Sequence, residues 1–275
     1  MTHLIVIQSG LNGWSYFMNW VRDVLRECLD DRYVIEISDV NNFTNTWYGV
    51  DNCGINLVKF VYECSKKHNP KYISFIGHSF GGLIIRNCIG RLECVNYFDG
   101  VKPILYASVA TPHLGSLSLN NIRQFLARHL IGWSGQELLF EDQVKILMLM
   151  SKVNSCYYNG LKRFKLMLAY GNIKNDNMVT FESACISYPL KRTLSFEHIN
   201  RLIVIDPEEY CEIPDYYSQE ELAIFSDLSE LPWIRKGIDL SNYFKAHNAI
   251  MNTGLSRQTQ VIQDIAYYLR DYLNI

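Results

Sequence analysis

The tightest group of residues able to do chemistry is Gly77-His78-Ser79-Phe80-Gly81-Gly82. A serine with glycines two places before and two places after it fits a sharp strand-to-helix turn, which crowds those neighbours until only hydrogen fits in place of a side chain. Gly77 and Gly81 are therefore the turn-forming positions. Ser79 would stand at the tip of the turn as the attacking oxygen in acyl transfer, with the backbone N–H of Phe80 aimed at the same point. The five-letter pattern alone is a weak signal, and its flanks strengthen it. Tyr72-Ile73-Ser74-Phe75-Ile76 reads as a buried strand leading in, and Leu83 to Ile89 as a helix leading out.

A serine hydroxyl is a poor nucleophile at neutral pH, so it needs a base within hydrogen-bond reach and a carboxylate to orient that base. In folds with such an elbow the partners follow in the order serine, acid, histidine. Of the seven histidines, His3 precedes the serine, His78 lies inside the motif, and His113 and His129 come before any late acid. His68 sits at a helix end beside Lys66 and Lys67. His198 and His247 remain, and His247 fits better, in a loop-like stretch from 244 to 250 just upstream of the last helix. For the acid, Asp176 follows the apolar run Phe164 to Tyr170 through a turn-rich segment, and Asp206 follows Leu202 to Ile205 directly. Chain order leaves both open.

These groups need a scaffold, and strand-like and helix-like segments alternate along the chain, the signature of a mostly parallel sheet covered on both faces. Strands are predicted at Leu4 to Gln8, Tyr33 to Ile37, Tyr72 to Ile76, Pro103 to Val109, Phe164 to Tyr170 and Arg201 to Ile205. Helices are predicted from Trp14 to Leu29, from Gly54 to Lys67, after the serine, and after Ser256, where Val261, Ile262, Ile265, Leu269 and Leu273 share one face. The 275 residues are 48% hydrophobic, enough for one sizeable core, and one domain over residues 1–275 is expected.

The formal charge of −2 gives no basic patch for nucleic acid. Met1-Thr2-His3 runs directly into Leu4 to Ile7 with no basic leader, and no apolar run reaches the roughly 20 residues that span a bilayer. A cytoplasmic location is expected, with the eight cysteines reduced and mostly buried. Neither cysteine nor histidine spacing has a zinc pattern, and no cofactor is called for.

Between residues 116 and 160 lies an apolar insertion in which Ile122, Phe125, Leu126, His129 and Leu130 share a helical face, followed by a second apolar helix from Val144 to Met150. The insertion reads either as ordinary core helices or as a lid over an acyl groove.

Several further segments bear on family. Ile7-Gln8-Ser9-Gly10-Leu11-Asn12-Gly13 and Thr46-Trp47-Tyr48-Gly49-Val50-Asp51 precede the elbow, Thr111-Pro112-His113-Leu114-Gly115 and Ser134-Gly135-Gln136-Glu137-Leu138 follow it, and Asp176-Asn177-Met178-Val179 comes later. Together they resemble the putative serine esterase family of lipases within the α/β hydrolases, over nearly the whole length.

The resemblance implies an α/β hydrolase fold with a helical lid insertion and a triad of Ser79, Asp176 and His247, which favours Asp176 over Asp206. It implies an oxyanion hole from the backbone N–H groups of Leu11 and Phe80, with Gly10 forming the turn. His78, His113, Leu114, Phe125 and Leu126 are the substrate-pocket candidates. The implied substrate is a lipid ester, and the implied surroundings are a membrane or lipid-droplet surface contacted transiently by a cytoplasmic protein. A thioesterase and a non-catalytic binding protein on the same scaffold are the alternatives. One departure stands out: Ser9 occupies the place where the family carries histidine, which puts the tightness of the oxyanion turn in question.

Overall fold

The structure is a computed structural model that describes residues 1–116, 132–191, 201–205, 211, 217–240, 245–251 and 259–273. Seven strands form one sheet in the order β2-β1-β3-β4-β5-β7-β6. They are β1 (His3–Gln8), β2 (Tyr33–Ile37), β3 (Tyr72–His78), β4 (Lys102–Val109), β5 (Leu166–Asn172), β6 (Leu202–Val204) and β7 (Trp233–Ile238). Every pair is parallel except β6 with β7.

The helices among the described residues are α1 (Asn19–Cys28), α2 (Val50–His68), α3 (Phe80–Cys94), α4 (Tyr97–Gly100), α5 (Gly132–Leu138), α6 (Ile146–Ser151), α7 (Cys156–Lys162), α8 (Phe181–Cys185), α9 (Gln219–Ser229), α10 (Ala246–Ala249) and α11 (Gln260–Leu273). A 3-10 turn, Ser15–Met18, precedes α1, and another, Phe43–Tyr48, precedes α2.

β1 illustrates why a continuous apolar run becomes a central strand. Alternate side chains point to opposite faces, so Leu4 and Val6 join one core cluster and Ile5 and Ile7 the other. All four are fully buried, at about 1.5–3 kcal/mol each relative to exposure. On the first face lie α2 and α3. On the second lie α1, through Val21, Val24 and Leu25, and α11, through Val261, Ile262, Ile265 and Leu269.

α2 starts four residues before the predicted Gly54. Its first N–H groups are satisfied from far away: Val50 donates to Glu137 Oε2 at 2.7 Å and Gly49 to Ser134 Oγ at 3.1 Å. Several elements escaped prediction, among them the short helices α7 and α8, α10 in the stretch that reads as a loop, α9 and β7. β7 carries Arg235 and Lys236 in its middle, which breaks the apolar pattern. Lys236 is nonetheless buried, paired with Asp264 at 2.7 Å.

Of the apolar insertion, residues 117–131 lie outside the described residues. The remainder packs inward, with Leu138, Ile146, Leu147, Met150, Tyr158 and Leu161 in the same core cluster as α2 and α3. The expectation of eight reduced cysteines is corrected: Cys94 and Cys156 form a disulfide, with Cα atoms 5.7 Å apart. It joins the end of α3 to the start of α7, and the 62-residue separation leaves no local motif to announce it. No helix among the described residues is long and apolar enough to cross a membrane.

Candidate active site

Strand β3 ends and α3 begins at Ser79, which has φ 55° and ψ −132°, a conformation side-chain-bearing residues rarely adopt. Its N–H donates to the Val109 carbonyl at 2.8 Å, which fixes the corner against β4. A Cβ on Gly77 would come within 2.6 Å of Gly82 Cα, and one on Gly81 would press into the carbonyl oxygens of Gln8 and Ser9. Both glycines are therefore required by close backbone approach.

His247, in α10, reaches this corner from 168 residues away, with Nε2 at 2.9 Å from Ser79 Oγ. Its Nδ1 lies 3.0 and 3.1 Å from the two Asp176 carboxylate oxygens. An ionised carboxylate only accepts, so Nδ1 carries the proton and Nε2 presents a lone pair to the Ser79 hydroxyl. Asp176 follows β5 and also accepts from the N–H groups of Met178 at 2.9 Å and Val179 at 3.0 Å. Burial pushes its carboxyl upward. The hydrogen bond from His247, the attraction of that ring when it is protonated, and the two backbone donors outweigh burial and hold it below the usual value.

Two buried side chains brace this arrangement. His78 Nε2 donates to the His247 carbonyl at 2.9 Å. Burial, with the nearness of a second imidazole at His247 next in weight, pulls the His78 pKa down to about 3, so its ring is neutral. Asn172, at the end of β5, donates through Nδ2 to Asp176 Oδ2 at 2.8 Å and to the Ala246 carbonyl at 3.3 Å. It thus ties the Asp176 loop to the segment that carries His247. Sequence reasoning placed His78 in the pocket and passed over Asn172. The one signal for Asn172 was a polar residue closing an apolar strand just before the acid.

The turn after β1 lies against the serine, where a Cβ on Gly10 would be 2.7 Å from Ser79 Cβ and 3.1 Å from its Oγ. Gly13 N–H donates to the Gly10 carbonyl at 3.0 Å, so the turn closes with Ser9 in place. Asn12 anchors it from the far side, its N–H donating to Thr46 Oγ1 at 3.1 Å and its Oδ1 accepting from Trp47 Nε1 at 2.7 Å.

The structure thus brings Ser79, His247, Asp176, Gly10 and His78 together, with Leu11 next to Gly10 and Phe80 next to Ser79. His113 is not among them. It is fully buried, with Nδ1 accepting from Arg86 at 3.3 Å and Nε2 donating to Ser108 Oγ at 2.8 Å, its ring 5.4 Å from that of Trp233. Leu114 is buried in the core cluster of α2 and α3. Phe125, Leu126, His198 and Asp206 lie outside the described residues. Among the described residues no three His, Cys, Asp or Glu side chains are grouped to hold a metal ion. A hydroxyl, an imidazole and a carboxylate in series can perform acyl transfer without one.

The chain is similar to two proteins of Saccharomyces cerevisiae, "Putative lipase YDL109C", 28% identical over 200 residues, and "Putative lipase ROG1", 29% identical over 199. Each match takes in 68% of this chain and only 30% or 29% of the yeast protein, so the chain spans less than a third of the relatives' length. Among solved structures it resembles a putative cell surface hydrolase from Lactobacillus plantarum, with TM-score 0.52 and 11% identity over 98% of this chain and 92% of that one. That likeness speaks to the fold, which is the α/β hydrolase fold. The model of the putative serine esterase family (DUF676) matches residues 1–188, and the chain belongs to that family.

Proposed function

We propose that this chain is a serine hydrolase that cleaves carboxylic ester bonds of lipids. The observation that carries the reading is the unbroken series Ser79 Oγ, His247 Nε2, His247 Nδ1 and Asp176, with separations of 2.9 and 3.0 Å. In this reading His247 takes the Ser79 hydroxyl proton as the oxygen attacks the ester carbonyl, and Asp176 stabilises the imidazolium that forms. The N–H groups of Leu11 and Phe80 receive the tetrahedral oxyanion; one such donor is worth about 3 kcal/mol of transition-state stabilisation. Collapse breaks the carbonyl–oxygen bond and the leaving alcohol takes the proton from His247. Water, deprotonated by the same imidazole, then cleaves the acyl-enzyme. Lipid as the acyl donor is supported by the family and by the yeast relatives' description as lipases.

The test is labelling by a fluorophosphonate probe together with hydrolysis of a panel of oxygen esters and thioesters of graded chain length. Wild type should label and Ser79→Ala should not. Asp176→Asn, which removes the charge that holds the His247 tautomer, should lower kcat/KM by roughly 10³–10⁴. A folded wild type that neither labels nor turns over any ester overturns the reading, and turnover of thioesters alone replaces the bond class.

A further inference from the structure

Beside the Ser79 corner, two stretches of chain carry no charged residue at all: 12–20, Asn-Gly-Trp-Ser-Tyr-Phe-Met-Asn-Trp, and 42–49, Asn-Phe-Thr-Asn-Thr-Trp-Tyr-Gly. Their aromatic rings stand in solvent. Tyr16 is 56% exposed and Tyr48 61%, and Trp14, Phe17 and Phe43 are exposed as well. The rings form a continuous series: Phe17 to Tyr16 at 4.3 Å, Tyr16 to Trp14 at 6.3 Å, Trp14 stacked on Phe43 at 5.5 Å, and Phe43 to Trp47 at 6.5 Å. A Cβ on Gly132 would come within 2.8 Å of the Trp47 carbonyl oxygen, and the next residue, Trp133, is 64% exposed.

Five linked rings, four of them exposed, are grouped as in a binding face. The group is held rigidly against the site. Phe43 N–H donates to the Gly13 carbonyl at 2.9 Å and Ser15 N–H to Asn42 Oδ1 at 2.8 Å, while Trp47 holds Asn12. The patch is therefore continuous with the Gly10–Gly13 turn that rests on Ser79.

Its chemistry selects the partner. Tyr and Trp combine an apolar ring with one polar group and settle at the headgroup level of a bilayer. Two uncharged stretches match a surface without net charge, and a lipid surface leaves the adjacent site open to molecules drawn from it, whereas a docked protein would cover the turn. We propose that this aromatic face seats the protein on the headgroup layer of a zwitterionic phospholipid membrane, with the Ser79 corner at the edge of the contact. The choice of partner rests on the lipid-ester reading, and the binding itself does not depend on turnover.

The experiment uses the full chain carrying Ser79→Ala, co-sedimented with phosphatidylcholine vesicles. Binding should persist in about 0.5 M salt, where charge attraction is screened out beyond a few Å, and tryptophan emission should shift to the blue on binding. Tyr16→Ser combined with Tyr48→Ser, two highly exposed positions with little packing to lose, should lower the partition coefficient at least tenfold. Trp14→Ser should do the same, and Tyr267→Ser, an exposed ring on α11, should change nothing. A folded protein that ignores the vesicles, binding that vanishes in salt, or a concentration-dependent dimer dissolved by the two tyrosine changes overturns the proposal. Fluorophosphonate labelling of the wild type without vesicle binding sinks this inference alone; vesicle binding without labelling or turnover sinks the esterase reading alone.

Discussion

His78, the residue immediately before Ser79, holds the backbone of His247 by donating from Nε2 to its carbonyl oxygen at 2.9 Å. A carbonyl can only accept, so this ring must carry its proton on Nε2, and with its pKa pulled down to about 3 by burial it stays neutral throughout the working range. Serine and base are thus registered to each other by main chain as well as by the Oγ–Nε2 contact.

His78→Ala should therefore lower kcat about 5- to 150-fold, the equivalent of a buried hydrogen bond of about 1–3 kcal/mol, and leave KM unchanged. His78→Gln, which keeps a donor, should recover part of the loss. Steady-state kinetics on a soluble ester checks this, and an effect confined to KM would place His78 in substrate binding instead.

Gly10→Ala sets a methyl group where the distance to Ser79 Cβ is 2.7 Å. The turn must retreat from the serine, so kcat should fall by two orders of magnitude or more while the urea midpoint moves little. Gly100→Ala is the matched control, since a Cβ there meets nothing within 4 Å. Equal activities in the two variants would remove the turn from the oxyanion role.

Glu137 accepts from the first N–H of α2 and is buried, which pushes its carboxyl up to about 7; the Val50 N–H opposes this, and Asp142 and Asp51 add to it. The unfolded chain ionises this group near 4.5 and the folded protein near 7, so the native state binds the extra proton between those values. The contribution of Glu137 to stability should accordingly fall as pH rises from about 4.5 to about 7, by up to about 3 kcal/mol. Denaturant titrations should show wild type losing stability relative to Glu137→Gln as pH rises through that range, and a difference between the two that stays flat would assign the effect elsewhere.

His3, His78 and His113 act in the opposite sense. Burial pulls the first two down to about 3 and the third well below 6.5. Below 6.5 the unfolded chain takes up three protons that the folded protein refuses. In Glu137→Gln, which lacks the opposing carboxyl, stability should drop by about 4 kcal/mol between pH 7.5 and 5.5, three groups at about 1.4 kcal/mol each. Urea midpoints across that range measure it, and a flat profile would mean these rings are solvated.

The elbow was legible because its demands are local: Gly77, Ser79 and Gly81 stand within five residues and an apolar strand leads in. β1 and β2 were legible for the same reason, their buried faces written in consecutive residues. What was not legible depends on distant partners. The start of α2 is set by Glu137 and Ser134, more than eighty residues on. β7 looks too charged for an interior strand until Asp264 is seen beside Lys236 and the carbonyls of Cys185 and Ile186 beside Arg235. The antiparallel sense of β6 leaves no mark in composition. Asn172 has a role only because the Ala246 carbonyl lies above it.

The 168 residues between Ser79 and His247 have a consequence for the newly made chain. Domains tend to fold from the N-terminus as they are synthesised. The serine corner, with β1, β3 and α3 around it, can take shape while the imidazole that would activate it is still unmade. Under the proposed function the nascent protein is thereby born inert, and its chemistry waits until translation has passed residue 247 and that late segment has docked.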